Sequence, residues 1–501
     1  MDKKSHEELL AASDAVLDEY AWYCICNWKN YTAFNPVKDE NDFSELTRWF
    51  LWDKVGRALR RKYRHNLFEY ENSLLEMISH KKSKKSVTPS LIRRLGYKLQ
   101  LNYHHYICKK NLSCLQKSSK KQIYVPSPSD RLESPVSKII SQKKYNVSLA
   151  FRSLPGYKNA YLIPESFLLS SRNTGFNTQL LKAMIEGLKK LNVDLLPSDI
   201  DKLTDQVNWI SKHIYIVEAQ LKRLKPDLVL VHADNHPTPQ EYILVANKLG
   251  IPTLMLQHGL DCEHFYLENA YAKNVAVWGS IRKERYQRNS ELKPALRVTG
   301  NPAYDKFVKP EKIKTNGKYL LWTTRPHSPE KCYSVSRNVK EGVDIFNTLV
   351  DYVESQNEKL VVKPHPYDYI SEYEKIISQR KLTDKIAISK LPLNDLIQNA
   401  KIVISEDSTA ALDALIHGKL LILSHFASSK PTINAAEHGL ALPGNSPEEL
   451  TANLNLLLQS NMGKKNETIK STQKFIENYT GSLDGKSGER FLQLIDDLLK
   501  D

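Results

Sequence analysis

The 501-residue sequence predicts an α/β protein of two Rossmann-like, parallel-sheet units in series, facing each other across a cleft, behind a mainly helical, basic N-terminal region. Three observations predict this. Beyond residue 140, short runs rich in Val, Ile and Leu alternate with amphipathic stretches of helical length, the grammar of strand–helix–strand units. The alternation restarts near residue 318. Polar signatures fall where the apolar runs end, and open parallel sheets bind ligands at those ends.

Composition bounds the answer. A chain of this length suits two or more domains, and 41% hydrophobic residues suffice to bury a core in each. The six cysteines (24, 26, 108, 114, 262 and 332) include no CxxC pair, so a reducing compartment is the default. The N-terminus MDKKSHEELLAASDAV lacks an apolar run followed by a small-residue cleavage site, and no stretch of 18 apolar residues occurs. A cytoplasmic protein is expected, peripheral on the inner face of the membrane if its basic segment binds lipid.

The formal charge of +15 is uneven. Residues 55–125 hold 17 Lys or Arg against Glu69, Glu71 and Glu76, a net +14. Such a segment suits an anionic membrane surface, a charged glycan acceptor or a nucleic acid, or else a solvated face. Residues 1–125 form the expected N-terminal region. ELTRWFLWDKVGRALRRKY is periodic at three and four, and Trp22, Trp28, Trp49 and Trp52 supply either core or an interfacial face. Residues 91–117 read as another helix and VPSPSDRLESP, 125–135, as a linker.

The first Rossmann-like unit is placed at 140–310. NVSLAF, NAYLIPE, DLVLVHAD, IPTLMLQHG, NVAVWG and LRVTGNP read as strands, with a long helix over 200–226 and a shorter one over 240–250. The second is placed at 318–485. KYLLWTTR, KLVVKPHP, DKIAISK, KIVISEDST and LLILSH are strands, separated by helices over 339–357, 368–381 and 410–419.

Four strand-end constellations carry the chemistry. In KPHP the prolines stiffen a turn that presents Lys363 and His365, a charge and a hydrogen-bonding imidazole suited to phosphate oxygens. In EDSTAALDALIHGK, Ser408 and Thr409 stand where a helix begins and free N–H groups hold anions, with Glu406 ordering the loop or meeting a ribose. In LMLQHG, His258 can move a proton near neutral pH. In VHADNHPTPQE, Asp234 and Glu241 are carboxylate alternatives for that base, while His232, Asp234 and His236 have spacing that also suits a metal, though no second cluster completes such a site. Arg325 and Asn301 end two further strands and are candidates to meet the nucleotide. Each of these residues also has a plain structural reading as a cap, turn or surface group. No P-loop, GxGxxG or GxSxG is present, which weakens NTPase, dehydrogenase and hydrolase readings.

The ordered set QHG (257–259), TGNPAYD (299–305), KPHP (363–366) and EDSTAALDALIHGK (406–419) resembles the GT-B glycosyltransferase superfamily. It is most similar to bacterial capsule and lipopolysaccharide glycosyltransferases and to teichoic-acid glycerophosphotransferases. The resemblance implies a GT-B-like fold and transfer of a sugar from a nucleotide-activated donor to a surface polysaccharide or lipid-linked acceptor, without metal and with no cofactor beyond the donor. It implies that His365, Ser408 and Thr409 contact the donor and that His258 matches a histidine proposed as base in the glycerophosphotransferases. A likeness to sialyltransferases and Kdo transferases points to CMP-linked donors, with UDP and CDP left open. The alternatives are glycerophosphate transfer, a UDP-sugar 2-epimerase, and a nucleic-acid-binding or scaffold protein.

Overall fold

The computed structural model describes most of residues 2–76, 119–126, parts of 135–149, 161–162, 174–257, 259, 270–289, 292–307, 317–325, 339–366, 368–406, 408–426, 433–459 and 468–500. The helix expected over 91–117, and His258, lie outside them.

Two parallel sheets form the frame. The first has seven strands in chain order β3 (Gln122–Val125), β4 (Asn146–Leu149), β5 (Tyr161–Leu162), β6 (Leu228–Val231), β7 (Thr253–Leu256), β8 (Asn274–Val277) and β9 (Ala295–Val298), arranged β5-β4-β3-β6-β7-β8-β9. The second has six, β10 (Tyr319–Thr323), β11 (Leu360–Lys363), β12 (Ile386–Ile388), β13 (Ala400–Ser405), β14 (Leu420–Ser424) and β15 (Leu442–Gly444), arranged β12-β11-β10-β13-β14-β15. In both, the strand order runs outward from the first strand and then reverses, the doubly wound pattern of a Rossmann sheet. The two units make a GT-B-like fold. Their central strands are buried on both faces, which explains their unbroken Val, Leu and Ile runs.

Ahead of the first sheet lie α1 (His6–Ala11), α2 (Asp14–Asn27), a two-stranded hairpin of β1 (Val37–Lys38) and β2 (Asn41–Asp42), and α3 (Phe43–Tyr63). Asp42 caps α3 by accepting the Ser44 N–H at 2.8 Å, and Arg60, Arg61 and Lys62 complement its C-terminal dipole. This layer is no appendage. Leu17, Trp28, Phe43, Leu51 and Val55 share one core with Leu203, Val207 and Ile214 of α5 (Pro197–Leu224) and with Val229 and Val231 of β6. Trp28 and Trp52 are core residues, while Trp22 and Trp49 are half-buried against that core.

The described part of the basic segment is occupied. Arg57 pairs with Asp199 at 2.5 Å, Lys62 with Asp194 at 3.1 Å and Arg64 with Asp14 at 2.6 Å. Arg57 and Lys62 bolt α3 to the chain around α5, and Arg64 ties its end to the start of α2.

The first sheet begins at Gln122, eighteen residues before the expected start of its unit. QIYV between two polar runs is too short to announce itself, yet β3 is the strand at which the order reverses. Three further elements depart from the sequence reading: β15, a helix α7 over Ser280–Asn289 and a helix α13 over Thr468–Thr480. The last helix, α14 (Ser487–Leu498), returns to the first unit, where Phe491, Leu494 and Ile495 pack on Ile123, Val147 and Leu228. No helix among the described residues is long and apolar enough to cross a membrane.

Candidate functional site

KPHP and EDST meet because of register. In the second sheet Thr323 of β10 lies opposite Lys363 of β11 on one side and opposite Ser405 of β13 on the other. Three parallel strands therefore end at one level, roughly 10 Å across from Lys363 to Ser405. β10 and β13 are also the pair at which the strand order reverses, so the motifs flank the crevice that such a sheet opens to ligands.

Buried hydroxyls and carboxylates fix the three ends to one another. The Thr323 hydroxyl donates to Ser405 Oγ at 2.9 Å. The Thr324 hydroxyl donates to Asp368 at 2.6 Å and accepts the His365 N–H at 2.9 Å, while the Asp368 N–H donates to the His365 carbonyl at 2.9 Å. The KPHP turn is thus held on both flanks. Glu406 is 3% exposed and accepts the Arg325 N–H at 3.3 Å, tying β13 to β10. Ser408 is the N-cap of α11 (Thr409–Ile416) and accepts the Ala410 N–H at 3.3 Å.

Lys363, His365, Arg325, Ser408, Thr409 and Asn301 all line one cleft of about 580 Å³. The Lys363 side chain makes no hydrogen bond or ion pair among the described residues, so a cation stands at the strand level beside the N-terminus of α11. An elongated anion fits here: charge from Lys363, backbone N–H groups from the helix start, and hydroxyls from Ser408 and Thr409. The first unit supplies Gly259, Trp278, Asn301, Tyr304 and Phe307 to the facing wall.

TGNPAYD is a clasp between the units. The Asn301 N–H donates to the Thr480 carbonyl at 2.9 Å, and its side chain accepts the Ala303 N–H at 3.0 Å. Asp305 accepts the Ser487 and Gly488 N–H groups at 2.8 and 2.9 Å, capping α14. Gly300 has φ +84°, and a Cβ there would lie 2.3 Å from the Ser487 hydroxyl, so the two chain crossings touch through glycine. The Tyr304 hydroxyl donates to Asp413 of α11 at 2.7 Å across the cleft. Asp413 is half-buried in the cleft wall, and desolvation there pushes its carboxyl up to about 6, with Tyr304 and Lys306 pulling the other way.

The carboxylates read as base candidates are elsewhere. Asp234 is 2% exposed and accepts the Ala272 N–H at 2.8 Å. Burial pushes its carboxyl up to about 6 against backbone hydrogen bonds that lower it. Glu241 is fully buried 3.3 Å from Nδ1 of His213, whose ring stacks on Trp209. Neither lines the cleft. His236 turns its Nδ1 to the Pro237 carbonyl, and among the described residues no three His, Cys, Asp or Glu side chains converge on one point.

The sequence reading quoted Gln257, Tyr304 and Asp413 within its motifs but gave them no role. Gln257 Oε1 accepts the Trp278 N–H at 2.8 Å and its Nε2 donates to the Gly259 carbonyl at 2.9 Å. A polar residue at a buried strand end was its only signal.

Solved structures with similar folds include the UDP-GlcNAc 2-epimerase of Methanocaldococcus jannaschii in complex with UDP-GlcNAc and UDP, at 18% identity and TM-score 0.46, covering 75% of this chain and 99% of that one. A glycosyltransferase from Rickettsia africae is 15% identical, with TM-score 0.42 over 77% of this chain and 100% of that one. The lipopolysaccharide outer core galactosyltransferase WaaB in apo form is 14% identical, with TM-score 0.38 over 75% and 99%. No protein-family model matches the chain, and no curated protein matches it. At these scores the fold rests on the strand order described above and the function on the site.

Proposed function

We propose that this chain is an enzyme acting on a nucleotide-activated sugar, and that it breaks the bond between the anomeric carbon and the nucleotide's phosphate. The observation that carries the reading is the anion cradle at the reversal of the second sheet: Lys363 and His365 on one strand end, Ser408, Thr409 and the start of α11 on the other. As the bond breaks, negative charge grows on the departing phosphate. Lys363 and the helix N–H groups face that charge from fixed positions, and fixed dipoles need no reorganisation as it develops. Thr324 and Asp368 keep His365 in place while this happens.

Two fates of the sugar follow from the same first step. In transfer, an acceptor hydroxyl, deprotonated by a base from the first unit, takes the anomeric carbon. In 2-epimerisation a base takes the proton from the neighbouring carbon as the nucleotide leaves, giving a double bond between the two carbons, and a proton returns to the opposite face of that carbon as the nucleotide adds back. A cleft of about 580 Å³ is the size of a small-molecule site and has room for a nucleotide sugar, which both fates need. The expected anionic acceptor at residues 55–125 is the ground for transfer, and its described cations are already paired.

Incubation with UDP-, CMP-, CDP- and GDP-linked sugars, with and without a glycan or lipid-linked acceptor, separates these fates by NMR. A second nucleotide sugar formed without acceptor marks epimerisation; free nucleotide formed only with acceptor marks transfer. No consumption of any donor and no nucleotide binding would refute the proposal.

A further inference from the structure

The cleft is lined from both units, and its charges are unevenly matched. Among the described residues on its walls, Lys363, Arg325 and Lys306 are cations and Asp413 is the one carboxyl. Lys363 and Arg325 lie at strand ends of the second unit, beside the phosphate cradle. Lys306 comes from the opposite side, just past the Pro302–Tyr304 turn through which the chain leaves the first unit. Its side chain is exposed and makes no hydrogen bond or ion pair among the described residues.

What Lys306 does touch keeps it at the cleft. Its ammonium lies 4.9 Å from the centre of the Phe307 ring. That ring stands edge-on to His417 at the end of α11, with 5.3 Å between centres, and against Tyr304 at 5.9 Å. A cation over a solvent-open ring is held weakly, so a charged oxygen displaces the contact readily. The nearby carboxyl does not take it up. Asp413 accepts the Tyr304 hydroxyl at 2.7 Å and forms no ion pair with Lys306, although the lysine's charge reaches it.

Position separates the tasks of the two lysines. Lys363 stands at the level of the strand ends, beside the start of α11. Asp413 lies four residues along that helix from Thr409, about 6 Å at 1.5 Å per residue, and Lys306 acts at the Asp413 end. One phosphoryl group seated on Lys363, Ser408 and Thr409 leaves Lys306 without an anion. A second phosphoryl group, bonded to the first, carries negative charge toward it, and the flexible lysine stem covers the remaining distance.

We propose that Lys306 is a second phosphate-binding residue, supplied by the first unit, and that it makes the cleft selective for sugars linked to a nucleoside diphosphate over those linked to a nucleoside monophosphate. The inference rests on the nucleotide-sugar reading and deepens it. Of the donors that the sequence left open, it keeps UDP- and CDP-linked sugars and sets aside CMP-linked ones. When the bond to the anomeric carbon breaks, its electron pair stays on the diphosphate, whose charge then meets a lysine from each unit.

The test is calorimetric titration of the full-length protein, Lys306→Met and Lys306→Arg with the matched pairs UDP and UMP, CDP and CMP, GDP and GMP. For the base it prefers, wild type should bind the diphosphate at least about tenfold more tightly than the monophosphate. Lys306→Met should lose about tenfold for the diphosphate and stay close to wild type for the monophosphate, while Lys306→Arg keeps the preference. Equal wild-type affinity within a pair overturns the proposal, and so does a Lys306→Met loss that is the same for both members or absent. Turnover of a CMP-linked sugar with none of a UDP-, CDP- or GDP-linked one overturns it too. If wild type binds no nucleotide, the nucleotide-sugar reading fails, and inorganic pyrophosphate against phosphate decides the lysine's role. Pyrophosphate binding that weakens about tenfold in Lys306→Met then upholds the second phosphate contact, and binding indifferent to the substitution overturns it.

Discussion

Asp413→Asn tests the electrostatics of the cleft wall. The carboxyl is half-buried on α11, hydrogen-bonded to Tyr304, and held at about 6, well above the roughly 3.9 of a free aspartate. A folded pKa above the unfolded one means that the native state binds the extra proton between those two values. Stability contributed by this group is therefore present at low pH and is lost as pH rises toward 6. Above that the native state carries a penalty on the order of 3 kcal/mol, from about two pKa units at ~1.4 kcal/mol each. Asparagine keeps the shape and an acceptor for Tyr304 but never ionises. Urea unfolding of the two proteins should thus show a gap that widens by about 2 kcal/mol in favour of Asn from about pH 4.5 to 7.5. The amide's own unpartnered N–H groups offset that gap by a constant and leave its slope alone. Asp234, with a similar shift, bends both curves equally. Parallel curves across this range would refute the reasoning, because the carboxyl would then be as well solvated folded as unfolded.

Other perturbations follow from the clasp and the N-terminal layer. Gly300→Ala adds a Cβ 2.3 Å from the Ser487 hydroxyl at a residue with φ +84°, and should destabilise by at least about 2 kcal/mol in urea unfolding. Arg57→Ala leaves Asp199, whose side chain is 4% exposed, without its 2.5 Å partner; a loss of about 3 kcal/mol is expected, and a change under about 0.5 kcal/mol would make the pair incidental. A chain starting at residue 65 should fail to fold its first unit, seen as loss of near-UV circular dichroism, because α2 and α3 share its core.

The two-sheet frame was legible because buried parallel strands leave unbroken apolar runs: VLV at 229–231, LVV at 360–362 and IVI at 402–404 each fall in one. β3 was not, since its four residues adjoin a Pro- and Ser-rich stretch, and only pairing to β4 and β6 makes it central. α7 was hidden because SIRKERYQRN offers hardly any apolar stripe. In the site, KPHP and EDST were readable as strand ends, but their meeting depends on register across Thr323, which no local pattern reveals. Asp234 and Glu241 lie away from the cleft for a related reason. A carboxylate near a strand end in sequence can turn inward, and these two satisfy a backbone N–H and a histidine inside the first unit. TGNPAYD carried part of the family resemblance, yet two of its contacts, Asn301 to Thr480 and Tyr304 to Asp413, cross to the second unit, which a motif cannot show.

The central claim is that a nucleotide's phosphate sits at the β10/β13 reversal. Calorimetric titration of UDP, CMP, CDP and GDP into wild type and Lys363→Met, at low and high salt, tests it most directly. Removing a charge-assisted contact should weaken the preferred nucleotide by roughly 10- to 100-fold, about 1.5–3 kcal/mol, with the difference shrinking as salt rises. Equal affinities in both proteins, or a lysine dependence indifferent to salt, would contradict it.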